Sequence, residues 1–232
     1  MVELKNVDVH YKDGGKEGVD ALNDINLRIN DGEFVFIVGN SGAGKSTLLK
    51  LLTREIVPTS GRVFVNGYNL SKIKNSKIPY FRRSMGMIFQ DFRLIPNLTV
   101  YENVAFVLRV TDKSNRYIRQ RVPYVLNLVK LGDKAKFKPT QLSGGEQQRV
   151  AIARAFASDP NLIIADEPTG NIDPALSYEI VEILKDINKC GTTVIMVTHD
   201  HELVQYFGGR IINIKNGNVV FDNYLGGDDE GK

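Results

Sequence analysis

The sequence predicts an α/β domain built on a mostly parallel sheet, with a helical segment inserted into it. Two observations carry that prediction. Phe34–Val38, Leu162–Ala165 and Thr193–Val197 are continuous apolar runs, the pattern of parallel strands buried on both faces. Helical periodicities lie between them, and each run stops at a polar cluster. In an open parallel sheet ligands gather at the carboxyl ends of the strands, so the polar endings should converge on one edge.

Along the chain, Leu4, Val7 and Val9 alternate in strand fashion before a Gly14-Gly15 turn, and Leu22, Ile25, Leu27 and Ile29 alternate after it. An Asn30-Asp31-Gly32 turn leads into the first apolar run, and Leu48, Leu49, Leu51 and Leu52 mark the helix that follows. A short strand is expected at Gly86–Phe89. Thr99 and Glu102 form a capping box ahead of Val100, Val104, Val107 and Leu108, and a second helical stripe runs Ile118, Val122, Val125, Leu126 and Val129 to Gly132. Pro123 sits inside that stripe, where it costs about 3 kcal/mol or forces a kink. Residues 91–160 therefore read as a helical subdomain within a single domain spanning 1–225, and 226–232 as a frayed acidic tail.

The 232 residues suit one such domain, and 42% hydrophobic with 25% charged residues is ordinary for a soluble globular protein. The only cysteine, Cys190, excludes an internal disulfide and fits a reducing compartment, as a small apolar residue at a helix end. No apolar run approaches the roughly 20 residues of a membrane span, and the start of the chain does not read as a signal peptide. A net charge of +3 is too balanced to announce nucleic acid as the ligand.

Gly39-Asn40-Ser41-Gly42-Ala43-Gly44-Lys45-Ser46, followed by Thr47, has the spacing of a phosphate loop between a buried strand and a helix. Its glycines let backbone N–H groups approach phosphate oxygens, and the helix N-terminus adds a positive dipole end. Lys45 is expected at the β- and γ-phosphates and the Ser46 hydroxyl at Mg²⁺. Asp166-Glu167 at a strand tip would divide the remaining work, Asp166 holding Mg²⁺ and Glu167 polarising the attacking water. Ser143 and Glu146 make a capping box, which leaves Gly144 and Gly145 without a reason in the first helical turn. A second bare helix N-terminus is a second anion site. One phosphate loop needs only one, so this one is expected to serve the nucleotide of a neighbouring chain.

Residues 39–46, 142–149 and 162–167, in that order, resemble the nucleotide-binding domain of ATP-binding-cassette (ABC) proteins, and 142–147 matches that family's signature. The resemblance covers essentially the whole chain. It implies a P-loop NTPase fold with a RecA-like core, an antiparallel β subdomain and an inserted α-helical subdomain. It implies ATP and Mg²⁺ as cofactors, ATP hydrolysis, and a homodimer in the ATP state. Tyr11 matches the residue stacked on adenine, and Gln90 the glutamine that contacts Mg²⁺ and the attacking water. Asn171 and Asp173 fall in the loop facing the opposite subunit, and His199 matches the histidine at the γ-phosphate. Each has an ordinary structural alternative: strand aromatic, loop polar group, helix cap, turn cap.

The resemblance also implies a separate integral membrane protein, gripped near Gln90 and residues 91–110. Gln90–Leu94, Phe64–Gly67 and Asp166–Asn171 are similar to the bacterial cell-division branch of the family. Relatives driving exporters or lipoprotein extraction are the nearest alternative. A soluble ATPase acting on DNA or the ribosome and an ATP-sensing module are the others. Lys72, Lys74, Lys77, Arg82 and Arg83 form a basic cluster that is either a solvated face or a contact for lipid headgroups.

Overall fold

The continuous apolar runs become the middle of a six-stranded sheet. A computed structural model describes residues 1–13 and 16–224; the Gly14-Gly15 turn and the 226–232 tail lie outside the described residues. Strand β1 (Val2–Asp13) pairs antiparallel with β2 (Lys16–Ile29). β3 (Phe34–Val38) then leads through residues 39–44 into helix α1 (Lys45–Leu52). β4 (Ser60–Val65) and β5 (Tyr68–Asn69) join the first pair, giving an antiparallel sheet ordered β2-β1-β4-β5.

Short helix α2 (Ile78–Arg82) precedes β6 (Met85–Ile88), one residue earlier than the sequence pattern suggests. Helices α3 (Val100–Val110), α4 (Asn115–Leu128) and α5 (Gly144–Phe156) follow, then β7 (Leu162–Asp166), α6 (Pro174–Lys189) and β8 (Thr193–Val197). Helix α7 (His201–Phe207), β9 (Arg210–Lys215) and β10 (Asn218–Asp222) complete the described chain. The larger sheet runs β10-β9-β3-β8-β7-β6, parallel throughout except for β10.

Both faces of this sheet are covered, which is why its strands are apolar without alternation. Phe34, Phe36, Ile163, Ala165, Val194 and Met196 face one core, shared with α3, α4, α5 and α6. Val35, Ile37, Leu162, Ile164, Ile195 and Val197 face a second core, shared with α1 and the antiparallel sheet. The parallel register fixes the strand tips side by side, with Ile37 opposite Val197 and Asp166 opposite Val197.

Helix α4 continues through Pro123 at the loss of one intrahelical bond. Cys190 caps the end of α6 and is exposed. No helix among the described residues is long and apolar enough to cross a membrane.

One buried polar side chain organises the entry to α3. Asn103 is fully buried. Its amide donates to the carbonyls of Ile95, Leu98 and Thr99 at 3.0–3.2 Å and accepts from the Ile95 N–H at 2.8 Å. Replacing it strands those backbone groups away from water. Asn103→Ala is expected to destabilise the fold by about 2–3 kcal/mol, read as a lowered urea midpoint at unchanged slope. An unchanged midpoint would remove this knot from the account of the fold.

Candidate functional site

Four strand tips deliver the site. β3 ends in the Gly39–Gly44 loop, β6 runs out to Gln90, β7 ends at Asp166-Glu167 and β8 leads to His199. They line one cleft of about 980 Å³ with residues 39–47, Gln90, Asp166, Glu167 and His199 in its wall.

The loop turns because its glycines take conformations that other residues resist. Gly44, the N-cap of α1, has φ 110°, and a Cβ there would stand 2.7 Å from the Ala21 carbonyl oxygen. Gly39 has φ 152° and no room for a Cβ against the Ile214 carbonyl at 2.2 Å. Lys45 folds back over this loop, its Nζ donating to the Gly39 carbonyl at 2.6 Å and to the Asn40 carbonyl at 3.2 Å. The exposed Ser46 hydroxyl lies in the first turn of α1.

Across the cleft, burial and the neighbouring Glu167 carboxylate raise the Asp166 pKa, while Lys45 pulls it down. Glu167 Oε2 accepts from the His199 Nδ1–H at 2.8 Å, and the Glu167 N–H donates to the Val197 carbonyl at 3.0 Å. Its φ of 47° is left-handed, a conformation that costs a non-glycine residue about 1–3 kcal/mol. Gln90 is held from both ends by Asn171, with Nε2 to Oδ1 at 3.3 Å and the Asn171 amide to the Gln90 carbonyl at 3.1 Å.

Helix α5 begins elsewhere. Ser143 caps it, accepting from the Glu146 N–H at 3.3 Å while Glu146 accepts from the Ser143 N–H at 3.0 Å. A hydrogen bond from Lys134, then the Ser143 N–H, hold the Glu146 carboxyl below its ordinary pKa. The two glycines separate in their reasons. A methyl on Gly145 would crowd the Leu176 side chain of α6 at 3.0 Å, so packing accounts for it. Gly144 is half-buried, and a Cβ there would meet the Asn171 carbonyl at 3.6 Å and the Phe92 ring at 3.8 Å, ordinary contacts that do not require glycine. Residues 143–146 do not line the chain's own cleft.

Two expected residues stand apart. Tyr11 is opposite Val19, which lines the cleft, but does not line it itself. Asp173 accepts from the Ala175 N–H at 2.9 Å and so caps α6, the ordinary role left open for it. The sequence reading missed Val19, Asp20 and Ala21 from β2, His201, and Asn216 and Gly217. The turn signal at Asn216-Gly217 is visible in the sequence. Nothing local ties it to a loop more than 170 residues earlier.

A phosphate loop, two strand-tip carboxylates, a histidine and a capped Ser-Gly-Gly helix on a two-sided parallel sheet define a P-loop ATPase of the cassette type. The chain belongs to the ABC transporter family, whose model matches residues 22–170, and it is an ATP-binding, ATP-hydrolysing member. Among its relatives, the cell division ATP-binding protein FtsE of Bacillus subtilis is 50% identical over 97% of this chain and 97% of its own. The FtsE of Escherichia coli is 43% identical over 94% and 97%. A dimeric structure of the ATP-binding cassette MJ0796 bound to ADP and Pi superposes with a TM-score of 0.86 at 42% identity, covering 98% of this chain and 100% of that one.

Proposed function

We propose that two copies of this chain close head to tail around two ATP molecules and, by opening on hydrolysis, move an integral membrane partner of the FtsX kind at the cell-division site. One observation supports this reading: the N-terminus of α5, with Ser143 exposed, lies beside Asn171 and outside the cleft that holds the chain's own phosphate loop. A second copy would bring that helix N-terminus onto the γ-phosphate. ATP then acts as the glue and its cleavage releases it.

In this reading the loop N–H groups and Lys45 bind the β- and γ-phosphates. Tyr11 or the β2 rim beside it receives the adenine. Glu167 takes the proton of the attacking water, and His199 steadies the γ-phosphate while holding Glu167 in place. Gln90 orients the water. Ser46, Gln90 and Asp166 offer hard oxygen donors to Mg²⁺, and the raised Asp166 pKa marks a carboxylate that gains from a nearby cation. Bound there, Mg²⁺ would neutralise phosphate charge. Asn171 and Asp173 would face the other copy.

The partner surface follows from a groove between β6 and α3. Met85, Met87, Phe89, Phe106, Val107 and Val110 make it apolar, and Arg82, Arg83, Arg93 and Arg154 rim it. Phe106 and Val110 are 45% and 41% exposed, one helical turn apart. Of the four arginines, only Arg93 has a carboxylate partner among the described residues. The segment that fits is an apolar stretch flanked by carboxylates, which favours this groove as the seat of the membrane protein. Lys72, Lys74 and Lys77 remain available to lipid headgroups at the cytoplasmic face of the membrane. Through this contact ATP cycling would regulate peptidoglycan hydrolases outside. An exporter or lipoprotein-releasing complex would use the same surface, and the captured partner decides.

Val110→Glu is expected to reduce recovery of the FtsX-like protein from detergent-solubilised cells at least tenfold, with nucleotide affinity unchanged. Undiminished capture would move the contact elsewhere, and capture of a different transport protein would replace the cell-division role.

A further inference from the structure

Phe92 and Arg93 are two consecutive non-glycine residues in the left-handed region, with φ 58° and 48°. Such a corner persists only where its surroundings impose it. Within the corner the Phe92 N–H bonds the Phe89 carbonyl at 3.3 Å and the Arg93 N–H the Asp91 carbonyl at 2.6 Å, and one distant side chain takes up the carbonyls these leave. Arg154, near the end of α5, donates from Nη2 to the Phe92 carbonyl at 2.8 Å and from Nη1 to the Arg93 carbonyl. Burial depresses the Arg154 pKa, and no carboxylate pairs with it among the described residues. The two carbonyls are its compensation.

The corner lies where three surfaces meet. Gln90 is two residues upstream. Arg93 stacks 3.8 Å from the Phe89 ring centroid and lines the apolar groove. It also lines a small cavity of about 110 Å³ whose other wall includes Ser46 and Asp166. The Phe92 ring lies 3.8 Å from where a side chain on Gly144 would begin.

We propose that Arg154 is a positioning residue for hydrolysis: its guanidinium fork holds the Phe92–Arg93 corner in its left-handed form and so fixes Gln90 at the cleft. This rests on the role given to Gln90 above. A lysine keeps the charge but lacks the planar fork that spans two successive carbonyls. Once the corner relaxes, only the Asn171 pair still holds Gln90, and a displacement of about 1 Å at a reacting centre can cost on the order of 100-fold in rate.

The test uses the full chain, measuring ATP-dependent phosphate release and the affinity for a fluorescent ATP analogue. Arg154→Lys is expected to lower kcat by about 10- to 100-fold while analogue affinity stays within about twofold. Glycine adopts the left-handed conformation at little cost. In a double-mutant cycle Arg93→Gly should therefore restore at least about fivefold of the Arg154→Lys loss, beyond its own effect on the parent chain. A merely structural arginine would show no such coupling. Wild-type kcat in Arg154→Lys, or a cycle without coupling, overturns the proposal. Gln90→Ala is measured alongside. If it turns over normally, the role of Gln90 has failed. If it is impaired while Arg154→Lys is not, only the positioning claim has failed.

Discussion

Glu167→Gln should abolish sustained turnover, lowering phosphate release by about 100-fold or more, while leaving a dimer that forms only with ATP. The substitution keeps the size of the side chain and an oxygen to face His199 Nδ1, now 2.8 Å from Oε2. It removes the carboxylate that would accept a proton from the attacking water. Phosphate-loop contacts are untouched, so ATP still binds. Uncleaved ATP keeps both copies gripped, and the closed state accumulates. Light scattering with ATP, with ADP and without nucleotide reads the dimer directly. A variant that hydrolyses at the parent rate refutes the assignment of Glu167. One that stays monomeric with ATP refutes the closing of two copies.

Ser143→Asp should separate helix capping from contact across the dimer. Ser143 is exposed and its side chain caps α5. Aspartate caps as well as serine, and its charge favours the helix N-terminus by about 0.3–1 kcal/mol. The thermal midpoint is therefore expected to hold or rise slightly. The same carboxylate would meet the γ-phosphate of the opposing copy. Losing one anion-stabilising donor typically costs about 10²- to 10³-fold, and a like charge in its place is worse. Turnover should fall at least about 100-fold, and the ATP-dependent dimer of the Glu167→Gln chain should disappear, while a single chain still binds nucleotide. Full activity in Ser143→Asp would leave the serine as a cap and nothing more.

What could be read from the sequence was local. The phosphate loop, the Asp166-Glu167 tip and the two capping boxes are each contained within eight residues, where spacing and residue type suffice. The fold class was legible for the same reason, since a strand buried on both faces announces itself by an unbroken apolar run. Contacts between distant segments were not. Nothing near Gln90 points to Asn171, and nothing near Arg154 points to a left-handed corner about sixty residues earlier. Gly145 looked like an opening for a ligand because its reason, Leu176 on a neighbouring helix, lies thirty residues away. The cleft rim from β2 and Asn216-Gly217 was invisible because a sheet edge assembles it.

The left-handed backbone of Glu167 bears on how durable this molecule is able to be. A chain selected for heat resistance alone would carry glycine at that point and relax. Keeping a carboxylate there sacrifices some folding free energy, a cost that the chemistry proposed for Glu167 would explain. A strained backbone unit beside the cleft thus carries the side chain proposed to act on the attacking water, and on that reading hardening the protein at this position would silence it.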